Sequence, residues 1–315
     1  MNDETISFAM EVKEEAASIE RSSMAMKALL SGFVKGNGSL RIGSKEELEL
    51  STESSSIAKM LYSQFNKLFD AHCRFAYTRG MGLRKKTRYH VLVENPEPIL
   101  DSLGIDLWSP LVPEWIKSEE TRSAYVAGAF LCSGSVNSPT SSNYHLEITS
   151  EDSAYAKKLC HLINRITDRH FNAKITSRRK ASVVYMKRGD EISDFLIAIG
   201  APQCCLKFED VRLSRDFSNI GNRLNNLDCA NMSKTNKTAE RQIKEIEYFH
   251  KHGETFSSNP KLSALLNLRL ENPDASLEEL ASLLSEELAS TVTKSNVNHL
   301  FRSLHARYEE ENHEK

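Results

Sequence analysis

Two hydrophobic periods alternate along the first two thirds of the chain. Ala156, Leu159, Leu162, Ile163 and Ile166 recur at three- and four-residue steps, the period of one helix face, whereas alternation across Glu47 to Thr52 and Asn143 to Thr149 marks half-buried strands. Read in order, the pattern predicts a helix ending at Gly38-Ser39, a strand, a second strand over Glu47 to Thr52, and a long amphipathic helix. Two further strands, Cys73 to Thr78 and Tyr89 to Val93, and a short closing helix complete the unit. The succession then repeats, with a helix ending at Gly134-Ser135, paired strands at Ala173 to Thr176 and Ser182 to Met186, and another closing helix. Pro96, Pro98, Pro110 and Pro113 punctuate the join, and a helix over residues 5–18 precedes the whole.

The two halves are copies of one another. Ala28, Gly32 and Gly38-Ser39 stand 96 residues before Ala124, Gly128 and Gly134-Ser135. Leu48-Glu49-Leu50 and Ala58-Lys59 stand 98 residues before Leu146-Glu147-Ile148 and Ala156-Lys157, and Leu103-Gly104 returns to the first offset against Ile199-Gly200. An offset held across so long a span identifies a tandem repeat. The predicted fold class is therefore α+β, a tandem αββαββα domain over 1–217 with repeats at about 22–106 and 118–202.

After Asp210 the strand signal stops, and helices are predicted over Asn219 to Leu227, Thr238 to Lys251, Pro260 to Leu270, Ser276 to Leu284 and Lys294 to Tyr308. This makes residues 218–315 a separate all-α domain. Ser276 and Glu279 have the spacing of a capping box, and Leu277, Leu280, Leu283 and Leu284 share one face. In the following helix Val297, Leu300, Phe301 and Leu304 form a core face, leaving Lys294, Ser295, Asn298, His299, Arg302 and His305 outward. A capped helix, a turn and a second helix with a polar-basic outer face is the arrangement that reads a DNA major groove, here over about 276–307. The bland alternative is a pair of bundle helices.

Charge sharpens this picture. The net charge is −2, yet Arg74, Arg79, Arg84, Lys85, Lys86 and Arg88 gather around one inter-strand hairpin, and Lys174, Arg178, Arg179, Lys180, Lys187 and Arg188 around its counterpart. Neither run contains an acid, so both suit phosphate contact, with Arg84, Lys85 and Lys86 the foremost set; the alternative is a solvated hairpin. The six cysteines form no C-x-x-C pair and read as reduced thiols. No apolar run suits a membrane span or a signal segment, so the expected location is cytoplasmic, with no membrane partner and no small-molecule substrate.

A duplicated helix with small residues on one face, ending in Gly-Ser ahead of a four-stranded sheet, resembles the LAGLIDADG homing endonucleases. That resemblance implies an acid just before each terminal glycine, where paired carboxylates hold the metals that activate water. The residues there are Asn37 and Ser133, and two positions earlier stand Lys35 and Leu131. An amide and a hydroxyl cannot hold a hard divalent cation, so no metal, cofactor or catalytic residue is expected. Gly32, Gly128 and Ala124 are expected to let the two helices approach closely.

The whole chain resembles the WhiA family. The resemblance rests on Ser7-Phe8-Ala9 with Lys13-Glu14-Glu15, Met81 to Lys86, Tyr125 to Ser135, Tyr144 to Glu147, Phe208 to Arg212, and Asn222-Arg223-Leu224. It extends to Ser276-Leu277 with Glu279-Leu280 and to Lys294-Ser295 with Val297-Asn298-His299. It implies a nucleoid-associated transcription regulator of cell division, chromosome segregation and, in sporulating bacteria, sporulation. Its partner is double-stranded DNA, with room for a second transcription factor. Asn296 and Leu300 depart from the glycine and arginine the family implies there, and Glu286 to Ala289 lengthen the turn. Two alternatives stay open, a cryptic metal-dependent nuclease using Glu49, Glu147 and His145, and an RNA-binding module. Arg215 to Lys234 reads as a structural linker whose asparagines cap helices and whose Arg223 pairs with Asp216 or Asp228, or as a phosphate contact.

Overall fold

The computed structural model describes the chain apart from residues 1–5, 44, 81–86, 168–170, 179–180, 255, 257 and 314–315. It divides into two units, Met1–Arg215 and Asp216–Lys315.

In the first unit, α1 (Phe8–Ser18) precedes two copies of one motif. The first runs α2 (Ser23–Asn37), β1 (Ser39–Ile42), β2 (Glu46–Thr52), α3 (Ser55–Phe69), β3 (Cys73–Arg79), β4 (Thr87–Glu94) and α4 (Glu97–Leu103). The second runs α5 (Glu119–Ser133), β5 (Gly134–Val136), β6 (Leu146–Ser150), α6 (Ser153–Ile163), β7 (Lys174–Arg178), β8 (Ala181–Met186) and α7 (Gly189–Ile199). The duplication reaches the helix caps. Ser22 and Ser118 each accept a backbone N–H at the start of α2 and α5, as Ser54 and Asp152 do for α3 and α6. Such caps satisfy donors that a helix leaves unpaired at its N-terminus.

Each copy builds an antiparallel four-stranded sheet, in the orders β1-β2-β4-β3 and β5-β6-β8-β7. Because side chains alternate across a strand, the register decides what each sheet shows. Leu48 opposite Val93 and Leu50 opposite Val91 point to the core, which puts Glu47, Glu49, His90 and Glu94 on the other face. The second sheet repeats this, with Leu146 and Ile148 inward and Glu147 outward beside Tyr185. Helices α3 and α6 cover the inward faces, and α2 packs along α5 between the copies.

The α2–α5 approach depends on missing side chains. A Cβ on Gly32 would collide with the Tyr125 carbonyl, and one on Gly128 with the Leu29 carbonyl. Ala124 is buried on the same helix.

Helix α8 (Pro202–Lys251) starts in the first unit and ends in the second. Its first turn is held by α1, because the Glu15 carboxylate accepts the Gln203 and Cys204 N–H groups at 2.7 and 2.8 Å. This corrects the expected helix break before Thr238. The asparagines of this stretch lie inside one helix and cap nothing, and among the described residues no ion pair joins Arg223 to Asp216 or Asp228.

The second unit packs the end of α8 with α9 (Pro260–Glu271), α10 (Leu277–Glu287) and α11 (Lys294–His313). Its core holds Ile246, Phe249, Leu265, Leu280, Leu284, Val297, Phe301 and Leu304. Fully burying each such side chain stabilises by roughly 1.5–3 kcal/mol. Arg269 is only 1% exposed, and its guanidinium donates to the carbonyls of Asn272, Pro273 and Ala275, clamping the turn into α10. All six cysteines are free thiols; four are buried, Cys132 is half-buried and Cys229 is exposed.

Candidate nucleic-acid interface

Ser276 and Glu279 close a capping box at the start of α10, Ser276 accepting the Glu279 N–H while the Glu279 carboxylate accepts the Ser276 N–H. Those bonds hold the Glu279 carboxyl below the usual carboxylate range. Helix α10 continues through Glu286 and Glu287, which the sequence reading assigned to the turn, and the chain reverses at Ala289 with φ +48°. Ser285 ties off the turn by accepting the Val292 N–H at 2.9 Å. Thr293 then caps α11 by accepting the Asn296 N–H at 3.3 Å.

Beyond that cap, Val297, Phe301 and Leu304 are buried, whereas Lys294, Ser295, His299 and Arg302 are exposed and Asn298 is half-buried. Lys294 sits 3.4 Å from Glu278, an exposed pair of little strength that can be exchanged for a phosphate. Lys261 of α9 joins Ser295, Asn296, His299 and Leu300 around a shallow depression, adding a cation that a reading of α11 alone does not supply. Leu300 is half-buried against the core. His305 is not a free outward residue, because its ring lies 2.7 Å from the buried carboxylate of Glu245 and helps seat α11 on α8.

The sheet faces carry their own acids. Arg74 pairs with Glu47 and lies 3.9 Å from Glu94, and Arg41 lies 3.6 Å from Glu49. Glu49 also meets His90 at 2.8 Å, and its counterpart Glu147 meets His145 at 2.9 Å and Arg178 at 3.5 Å. Runs that are acid-free in sequence thus meet carboxylates from neighbouring strands. Arg84, Lys85, Lys86, Arg179 and Lys180 lie outside the described residues.

At the ends of α2 and α5, Asn37 and Ser133 do come together, lining one cavity of about 270 Å³. The Asn37 carbonyl accepts the Ser51 N–H at 2.6 Å, so it ties the helix end to β2. Lys35 donates to the carbonyls of Asp106 and Leu107 at 3.1 and 2.9 Å, and Leu131 is buried. Among the described residues no group of three His, Cys, Asp or Glu side chains converges anywhere in the chain. The groups at this position, an occupied amide, hydroxyls and the single carboxylate of Glu53 beside the cations of Lys13 and Arg88, do not make the carboxylate pair that holds a divalent cation. Lys13 is the residue the sequence reading passed over as part of a motif string.

Two antiparallel sheets related by duplication, and a capped two-helix element with an exposed polar second helix, define a LAGLIDADG-like domain joined to a helix-turn-helix. The family models for the WhiA N-terminal LAGLIDADG-like domain, the WhiA LAGLIDADG-like domain and the WhiA C-terminal HTH domain match residues 23–106, 122–218 and 222–308. Proteins named "Probable cell division protein WhiA" from Lactobacillus delbrueckii subsp. bulgaricus and Brevibacillus brevis are 38% and 36% identical over 308 and 306 residues. The matches cover 95% of this chain and 97% and 95% of those proteins. The crystal structure of full-length DUF199/WhiA from Thermatoga maritima has the same fold, with a TM-score of 0.59 at 24% identity, covering 97% of this chain and 98% of that one. The chain belongs to the WhiA family.

Proposed function

We propose that the protein is a non-catalytic DNA-binding transcription regulator that reads its sites with α11. The observation that carries this reading is the outer face of that helix, with Lys294, Ser295, His299 and Arg302 exposed directly after a capped turn and Asn298 beside them. The first residues of such a helix reach base edges, while flanking cations contact phosphates. The absence of a carboxylate pair at Asn37 and Ser133 supports a scaffold that does no phosphodiester chemistry. The relatives' name supports a role in cell division, and family membership supports nucleoid association, chromosome segregation and, in sporulating bacteria, sporulation.

Fluorescence anisotropy on genomic fragments across a salt series tests the reading. Affinity is expected to fall linearly on a log-log plot, and a Lys294→Ala, His299→Ala, Arg302→Ala variant that stays folded is expected to lose at least tenfold. Unchanged binding by that variant would overturn the assignment to α11.

A further inference from the structure

Helix α8 carries a row of large apolar side chains on an open face. Leu213, Phe217, Ile220, Leu224 and Leu227 follow one another at steps of four, three, four and three residues, and each is between 52% and 72% exposed. Steps that alternate between three and four place them in one narrow stripe along the helix, the seam of a two-stranded coiled coil. A further step of four reaches Asn231, also exposed. Among the described residues, no atom outside its own turn of helix lies within 4 Å of where a Cβ on Gly221 would stand, so the edge of the stripe is open as well. A continuous apolar stripe facing water is uncommon in a soluble chain and marks a surface that a partner covers.

The polar residues along the stripe specify what covers it. With Phe217, Leu224 and Asn231 at the a positions of the heptad and Leu213, Ile220 and Leu227 at d, Arg223 falls at g and Asp228 at e. When two identical helices run parallel, each g residue faces the e residue five places further along the other helix. Arg223 then meets Asp228 of a second copy, and the symmetry of the pair repeats the contact. Among the described residues neither side chain has an ion-pair partner within its own chain. The same register sets Asn231 beside Asn231, where the two amides can hydrogen-bond to each other. An antiparallel alignment of the same apolar layers instead sets Asn231 against Leu213, brings the two Arg223 side chains together and leaves Asp228 without a cation. We propose that the protein forms a homodimer through a parallel two-stranded coiled coil of α8 over residues 213–231. Two helix-turn-helix elements in one assembly would then read a DNA site made of two related half-sites. That consequence rests on the DNA-binding reading; the dimer itself does not.

Sedimentation equilibrium of the full chain over a micromolar concentration series tests the proposal. The wild type is expected to approach twice the mass of one chain at the upper end, whereas a Leu224→Glu, Leu227→Glu variant is expected to keep the mass of one chain throughout. Both leucines are exposed, so the circular dichroism spectrum and melting temperature of that variant at low concentration should match the wild type. Arg223→Asp alone and Asp228→Arg alone each make the edge pair like-charged, and each is expected to weaken association about threefold to tenfold; the two together should restore it. A single-chain mass for the wild type at every concentration would overturn the proposal, as would a dimer that survives the Leu224→Glu, Leu227→Glu variant. A dimer indifferent to Asp228→Arg would overturn the parallel register. The α11 variant should dimerise as the wild type does, so the dimer and the DNA-binding reading fail separately.

Discussion

Arg269, buried, and Lys13, half-buried, show two fates of a cation packed into the fold. Arg269 is satisfied by three carbonyls that no reading of sequence spacing could have paired with it, because its acceptors are main-chain atoms exposed by a turn. Burial lowers the proton affinity of Lys13 against the opposing effects of Cys132 and Glu53, and that has a measurable consequence. A lysine that holds its proton less tightly when folded destabilises the fold while it is charged. That penalty is fully present below the lowered folded value and disappears as pH rises towards the ordinary value of 10.5, because there the unfolded chain binds the extra proton. Lys13→Met is therefore expected to be more stable than the wild type at pH 7, with the gap closing as pH approaches 10.5. Chemical denaturation of both proteins at several pH values in chloride buffer checks this, and a gap that widens with pH would contradict it. At this scale the sequence placed Asn37 and Ser133 at equivalent helix ends, and the structure brings them to one cavity, whereas the tie from Asn37 to Ser51 could not be read from spacing. The basic hairpins show a related limit of linear reading. Acids absent from the run itself, such as Glu47 and Glu147, arrive across the sheet through a register that linear charge counting does not contain.

Among the elements, α2 and α5 are the pair most completely written in the chain. Gly32 and Gly128 stand at equivalent positions of the repeat, and each lets its helix backbone touch the other's carbonyl groups. Gly128→Ala and Gly32→Ala are each expected to cost about 3 kcal/mol or more, since the obstacle is main chain and cannot rotate aside. Urea unfolding of the first unit's core would show it, and a loss below about 1 kcal/mol would mean that the helices separate easily. The strands were legible because β2 alternates and the second copy repeats the first, whereas the central pairings of β2 with β4 and β6 with β8 were not, since they join strands distant in sequence. Helix α8 was not. Gly221 and the run of asparagines weaken helix propensity by a few tenths to about 1 kcal/mol each, which reads as a break. No proline interrupts Gln203 to Lys251, however, and the helix continues through them. The turn after α10 was also misplaced, because Glu286 and Glu287 carry no stop signal and the reversal waits for Ala289.

The whole molecule joins a duplicated sheet scaffold without the acids of metal-dependent cleavage to a helix-turn-helix with an open polar face. The duplication and the two-part organisation were visible in the sequence because a repeat preserves its offset and a change of hydrophobic period marks a change of fold. The proposed reading face was visible only in outline. Exposure of Lys294, Ser295, His299 and Arg302 follows from helical spacing, whereas the contribution of Lys261 from α9 requires the packed structure. The central claim is that this second helix selects DNA sites in the cell. Chromatin immunoprecipitation with sequencing of the tagged wild type, beside a variant carrying Lys294→Ala, His299→Ala and Arg302→Ala at equal abundance, tests it most directly. The account predicts discrete peaks upstream of genes that vanish in the variant. Peaks or diffuse nucleoid signal that persist unchanged in the variant would contradict it and move the DNA contact to the sheet hairpins or to a partner protein.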